Sequence, residues 1–338
     1  MHADKAPMRE RVGRLFALLD EVIEALPVHP NYRELLQIHL RAGREEAEDW
    51  PEMSAIQVPL LVHTAVAGDE RPALPVAAAC TFLGLGADLY DSILDHELSP
   101  FWLTRDSAEV NLTATTLMAT LPQLSIAQLQ EQGTPPAKLW ALAHLFADTL
   151  QMMIGGEYED LLFPNLENVS LEESRAMVER KSGSAHALFA RAAAVLATED
   201  PSTIEAYANF GLCFGIAKQL INDVWGIWGE DASRDLLNGK RTLPIVHALS
   251  TLHGEQRERL RKLLAAARES SEHHDEVRAL LAAAGSVRYT ALIVRLYQQQ
   301  ARNHLVAASP QGSAGEELHR LLDRASMLPQ PEEAHPSH

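Results

Sequence analysis

The chain has 338 residues, is 46% apolar, and sets 29 Lys and Arg against 46 Asp and Glu for a formal charge of −17. That balance excludes a nonspecific nucleic-acid binder, which needs basic density to displace counterions, and the length suits one large helical domain or two ordinary ones. Two cysteines, Cys80 and Cys213, exclude a disulfide framework and a thiolate metal cluster.

In chain order, helical periodicity begins at Glu10–Leu26, where Val12, Leu15, Phe16, Leu19, Val22 and Ile23 keep to one face. It resumes at Ala55–Val66, Val76–Leu94, Ser107–Leu121, Pro136–Met153 and Leu171–Leu196. Ile204–Trp228, Thr242–Leu252, Glu255–Ala267, His274–Ala283 and Ser286–Val306 complete the series. Ser99-Pro100, Gly133-Thr134-Pro135-Pro136 and Asp200-Pro201 are the breaks that helix punctuation predicts. Asn238-Gly239 lacks flanking alternation, so it predicts no hairpin. The expectation is an all-α, single-domain helical bundle over residues 1–327, with a disordered tail at 328–338 that carries Pro329, Pro331 and Pro336. No secretory signal follows Met1–Pro7 and no run approaches the length of a membrane span, so the expected location is cytoplasmic.

Two segments carry chemistry. Asp88-Leu-Tyr-Asp91-Ser-Ile-Leu-Asp95 closes an apolar helix, and the four-residue spacing puts Asp91 and Asp95 on one face. Like charges there repel each other and oppose the helix dipole. Bound Mg²⁺, which takes oxygen ligands and keeps waters, would relieve both; an exposed acidic helix end reads the same way. Further on, Asn222, Gly226 and Glu230 form an i, i+4, i+8 stripe beside Ile216, Leu220, Ile221, Val224 and Ile227. A polar stripe entering such a helix is costly unless something binds it, or unless that face is solvated.

Beyond these two segments, the chain resembles the trans-isoprenyl diphosphate synthases over most of its length. Asp91-Ser-Ile-Leu-Asp95 stands for that family's first aspartate-rich motif, and Gly155-Gly156-Glu157-Tyr158-Glu159-Asp160-Leu161 for its G-G-Q-x-x-D-L. Lys181-Ser182 takes the place of its diphosphate-binding Lys-Thr. Gln219-Leu-Ile-Asn222-Asp223 resembles the second motif, and Asp235-Leu-Leu-Asn-Gly239-Lys240-Arg-Thr-Leu-Pro244 the block that follows it. The resemblance implies the isoprenoid synthase bundle with a central active-site cavity, and a homodimer.

Departures from the family pattern shape the functional expectation. The N-terminal isopentenyl-binding pattern is reduced to Arg41-Ala-Gly43-Arg44-Glu45-Glu46, Thr81 and Gly84 stand for the family's Glu and His, and His96–Trp102 lacks the Arg-Arg pair. Asn222-Asp223-Val-Trp-Gly226-Ile-Trp-Gly-Glu230 resembles instead the N-D-x-x-S/T-x-x-x-E triad of class I terpene synthases, with Gly226 in the hydroxyl's place and a water as the substitute ligand. The expected activity is therefore that of a Mg²⁺-dependent terpene cyclase, a diphosphate lyase taking farnesyl or geranylgeranyl diphosphate. The alternatives are a prenyltransferase, elongating with isopentenyl diphosphate or using another acceptor, and a non-catalytic partner subunit.

On this reading Asp91, Asp95, Asn222 and Glu230 are catalytic through three Mg²⁺ ions, with Asp88 and Asp223 as further ligand candidates. Arg180, Lys181, Lys218, Gln219 and Lys240 bind the prenyl diphosphate. Phe82, Phe189, Phe214 and Trp225, with Trp228, are candidates for the cavity wall, where aromatic faces would stabilise a carbocation, although aromatic residues at helical spacing are more often plain core. The histidines form no zinc pattern, and His186 reads as a satisfied polar position.

Overall fold

A computed structural model describes residues 6–49, 53–229 and 234–324; Glu230 and the C-terminal tail lie outside them. In chain order the helices are α1 (Ala6–Glu24), α2 (Pro30–Asp49), α3 (Ser54–Ala67), α4 (Leu74–Leu94), α5 (Pro100–Leu103), α6 (Ser107–Thr115), α7 (Leu121–Ala127), α8 (Pro136–Leu162) and α9 (Leu171–Val178). Then come α10 (Ser184–Ala197), α11 (Pro201–Trp228), α12 (Arg234–Leu237), α13 (Leu243–Thr251), α14 (Gly254–Ala267), α15 (His274–Ala283), α16 (Ser286–Ala308) and α17 (Gly312–Arg324). No strand occurs among the described residues, as the periodicity predicts. The long helices α2 and α17 were not foreseen, nor were the short α5, α7 and α12. Two expected helices also contain π-helical turns, Thr116–Thr120 between α6 and α7 and Glu179–Gly183 between α9 and α10.

The chain groups into two compact units. The first comprises Met1–Leu150, Leu188–Ala208 and Val306–Leu318. Its core is built from Leu15, Phe16 and Leu19 of α1, Leu36 and Leu40 of α2, Leu60 of α3, and Phe82, Leu85 and Leu89 of α4. Each such side chain, once fully buried, contributes about 1.5–3 kcal/mol. α4 is the most apolar of these elements. The stretch Arg71–Leu94 has the length and composition of a membrane span, yet most of it is buried inside the protein, as befits a core helix. Gly43 of α2 rests against Leu85 of α4, which sets the Arg41–Arg44 segment beside the helix that ends in the first acidic motif.

The second unit comprises Gln151–Ala187, Asn209–Leu305 and His319–His338. One cluster joins Ile227, Leu236, Ile245, Leu260 and Leu281; another joins Phe163, Met177, Ile216, Leu220, Leu243 and Val294. α9 opens on a capping box, in which the Ser170 hydroxyl accepts from the Glu173 amide and the Glu173 carboxylate accepts from the Ser170 amide.

Candidate functional site

In the first unit, Asp91 and Asp95 are half-buried and Asp88 is exposed at the end of α4. The Asp95 amide donates to Asp91 O at 2.8 Å, His96 turns left-handed at φ 58°, and the Glu97 amide closes back on Ser92 O at 2.8 Å. The helix thus stops directly after its second motif carboxylate. Both acids stand at the negative end of the helix dipole, where a cation is stabilised.

In the second unit a denser cluster gathers on α8, the π turn and α11. The π turn aims Arg180 and Lys181 at α8, and such turns often mark functional positions. Lys181 Nζ lies 2.7 Å from Glu157 Oε2 and 3.0 Å from Asp160 Oδ2. The approach is close because residue 156 is glycine: a Cβ there would stand 2.5 Å from the Lys181 amide nitrogen. Arg180 pairs instead with Glu159, at 2.5 and 3.1 Å. Lys240 Nζ stands 3.9 Å from the same Asp160 oxygen.

A second chain of contacts runs through α11. Ser182 Oγ donates to Gln219 Oε1 at 2.6 Å, and Gln219 Nε2 donates to Asp223 Oδ1 at 2.9 Å. Asp223 is 5% exposed, and its other oxygen, Oδ2, is buried with no hydrogen-bond partner. An orphaned buried carboxylate oxygen is what a divalent-cation site presents before its cation arrives. Gly226 lies one turn on. A Cβ at that residue would sit 2.3 Å from Asp235 Oδ2 and 2.6 Å from Asp235 Cγ, so the side-chain slot of the motif's third position is filled by the Asp235 carboxylate.

Burial first, then the charge on Asp235 and more weakly that on Asp160, pushes the Asp223 carboxyl up to about 7, against the opposing Gln219 bond and Lys240. The folded chain therefore keeps a proton on Asp223 that the unfolded chain releases near its ordinary value of about 4. Stability from this group falls as pH rises from about 4 to 7 and is flat above. Asp223→Asn is expected to melt above the wild type at pH 8 in EDTA and to lose that part of the slope. Identical melting profiles from pH 5 to 8 would contradict this.

The structure thus brings Lys181, Lys240, Gln219 and Asp223 into one network, with Arg180 alongside on Glu159. Lys218 sits over the Phe214 ring at 5.9 Å, and Phe214 stacks on Phe210. Asn222 points to the exposed side of α11, Trp225 is 45% exposed, and Glu230 lies outside the described residues. Phe82 and Phe189 are buried in the first unit. His186 is driven down to about 3 by burial, then by Lys218, against a bond to Ser182 O, so its ring is neutral. Among the described residues no three His, Cys, Asp or Glu form a closed metal cage. Mg²⁺ does not require one, because waters and substrate phosphates complete its shell.

Glu157, Asp160 and Asp235 were missed as site residues, although the G-G-E-Y-E-D-L and D-x-x-x-G-K blocks contain them.

A family model described as polyprenyl synthetase matches residues 107–283. The chain is similar to the geranylgeranyl diphosphate synthase of Mycobacterium tuberculosis H37Rv, 27% identical over 205 residues, which cover 56% of this chain and 57% of that protein. It therefore spans less than two thirds of that relative. In three dimensions it resembles the geranylgeranyl pyrophosphate synthetase of Pyrococcus horikoshii Ot3, 21% identical with a TM-score of 0.80, over 96% of this chain and 99% of that one. It also resembles the geranylgeranyl pyrophosphate synthase of Corynebacterium glutamicum complexed with isoprenyl diphosphate and magnesium, 19% identical with a TM-score of 0.74, over 96% and 99%. The fold is the all-α isoprenyl synthase fold.

These findings overturn the terpene cyclase expectation. The matched proteins are named as geranylgeranyl diphosphate or pyrophosphate synthases, so the findings back the prenyltransferase alternative rather than the lyase. The geometry supplies a physical reason: the Gly226 slot, read as open to a water, holds a carboxylate.

Proposed function

Because the chain belongs to the polyprenyl synthetase family, we propose that it is a prenyltransferase that ionises an allylic prenyl diphosphate and extends it with isopentenyl diphosphate. The observation that carries this reading is the second unit's network, in which Lys181 is held between Glu157 and Asp160 while Asp235 fills the Gly226 slot. Four carboxylates (Glu157, Glu159, Asp160 and Asp235), with the Asp223 carboxyl ionising only near pH 7, face three cations (Arg180, Lys181 and Lys240). An anionic diphosphate is repelled by that sum unless divalent cations accompany it.

Magnesium, which a similar synthase holds together with isoprenyl diphosphate, suits these donors. Asp91 and Asp95, with Asp88 nearby, would hold it on the first unit, and Asn222, Asp223 and Asp235 on the second; Glu230 stays a candidate outside the described residues. Three ions in all remain the proposal. Bound there, magnesium would neutralise the diphosphate and make it a better leaving group. The chain's own residues do the rest. Lys181, fixed by two carboxylates, offers a pre-aimed ammonium to a diphosphate oxygen, and Lys240 offers a second. Gln219 links Ser182 to Asp223 and so fixes the Asp223 carboxylate. Phe214, buried one turn before Lys218, presents an aromatic face to the prenyl chain; Phe82, Phe189 and Trp225 are further candidates for that role. Arg41 and Arg44, on the helix packed against α4, are proposed to grip isopentenyl diphosphate. A homodimer is proposed on the family resemblance.

The test is incorporation of labelled isopentenyl diphosphate by the pure protein. Label should enter acid-labile products only when Mg²⁺ and an allylic diphosphate are both present. No incorporation with geranyl, farnesyl or geranylgeranyl diphosphate would overturn the proposal.

A further inference from the structure

The second unit carries another basic pocket, away from the Lys181 network. It is a cavity of about 440 Å³ behind the Gly239–Arg241 turn, walled by α12, by α14 and by the residues that follow α14. Arg241, Arg261 and Arg268 line it, with Glu269 as the acid among the lining residues. Lys240 also borders it, but its ammonium stands near Asp160 of the network. In a chain of net charge −17, three converging guanidiniums are an uncommon local reversal of sign.

The arginines are held in place. Arg261 donates to Asn168 Oδ1 at 3.0 Å, and Arg257 donates to the same oxygen at 2.8 Å. The Arg261–Glu167 pair is long, at 3.4 Å, and Glu167 is 79% exposed, so water screens it. Arg268 lies across Gly239. Residue 239 has φ +70°, which favours glycine, and a Cβ there would stand 2.8 Å from Arg268 Cδ and Nε, so a side chain at 239 would push Arg268 aside. Arg241 is half-buried and donates no hydrogen bond to a described residue. Burial, then Arg268, then Arg261 weaken its hold on its proton. A partly buried guanidinium facing two others is costly unless an anion sits among them, and the arginine fork matches phosphate oxygens two at a time.

We propose that this pocket binds a small di- or polyphosphate anion, at a site separate from the one that holds the reacting diphosphate. Inorganic diphosphate and a nucleoside triphosphate share the required chemistry, and the volume is that of a small-molecule site.

The test is calorimetric titration of the full-length protein in EDTA, which silences magnesium-dependent binding. Inorganic diphosphate and ATP are titrated in separate arms, and the tighter arm identifies the source. Saturable binding is expected in the wild type and in a Lys181→Met control. It should weaken at least about tenfold in an Arg241→Gln/Arg268→Gln double variant. No saturable binding in either arm overturns the proposal, and so does binding that falls with Lys181→Met but survives the double variant. A melting curve guards against a folding artefact. Arg241→Gln in EDTA and low salt should melt at or above the wild-type temperature, because it relieves repulsion. A lower melting temperature would expose an internal partner and also overturn the proposal.

Discussion

Lys181→Ala is expected to lower kcat/KM by about two to three orders of magnitude, the usual cost of removing one preorganised donor to a developing anion. The side chain is 12% exposed and touches two carboxylates that are themselves nearly buried. Its removal therefore has a second effect: Glu157 and Asp160 lose their close shared cation, although Asp160 keeps Lys240 at 3.9 Å, so the loss is at most the roughly 3–5 kcal/mol of a broken buried pair. The two effects separate in a Lys181→Ala/Glu157→Gln double variant, which removes one of the two acidic charges. Its melting temperature should recover much of the loss while kcat/KM stays low. Recovery of both together would show that Lys181 serves only the fold.

Gly226→Ala should be nearly as damaging, although it adds one carbon on the surface of a helix. That carbon arrives where Asp235 Oδ2 already lies, so the Asp235 carboxylate must shift away from the slot. If Asp235 helps hold a divalent cation, Mn²⁺ affinity should fall about 10–100-fold, as when supporting groups of a metal site are lost, and turnover should fall with it. Mn²⁺ binding followed by electron paramagnetic resonance reads this without any reaction. Gly226→Asp combined with Asp235→Ala returns a carboxylate to the slot from the helix side and is expected to recover most of the affinity. Unchanged Mn²⁺ binding in Gly226→Ala would contradict the role given to Asp235.

The helices were legible because their apolar residues recur at helical spacing, as in Glu10–Leu26. α2 escaped notice since Arg33, Glu34, Arg41, Arg44, Glu45 and Glu46 crowd the pattern that Leu35, Leu36 and Leu40 bury. α17 escaped because Gly312 and Gly315 and the proline-rich tail beside it look like a terminus. Lys181, Gln219 and Lys240 were legible as motif members. The π turn that aims Lys181 was not, because an i, i+5 turn leaves no periodic mark over five residues. Gly226 was visible as a departure, but the acid that answers it is nine positions away and reaches the helix only through the fold. Reading the motif as a linear string therefore suggested a terpene-type triad, whereas the three-dimensional arrangement supplies a carboxylate.

The most direct measurement is product analysis after incubating pure protein with Mg²⁺ and geranyl, farnesyl or geranylgeranyl diphosphate, each with and without isopentenyl diphosphate. The hexane phase is read by gas chromatography–mass spectrometry and the aqueous phase for diphosphates. Longer prenyl diphosphates formed only when isopentenyl diphosphate is present are the expected result. A terpene hydrocarbon or alcohol formed without it, and no longer diphosphate with it, would contradict the assignment as a chain-elongating prenyltransferase.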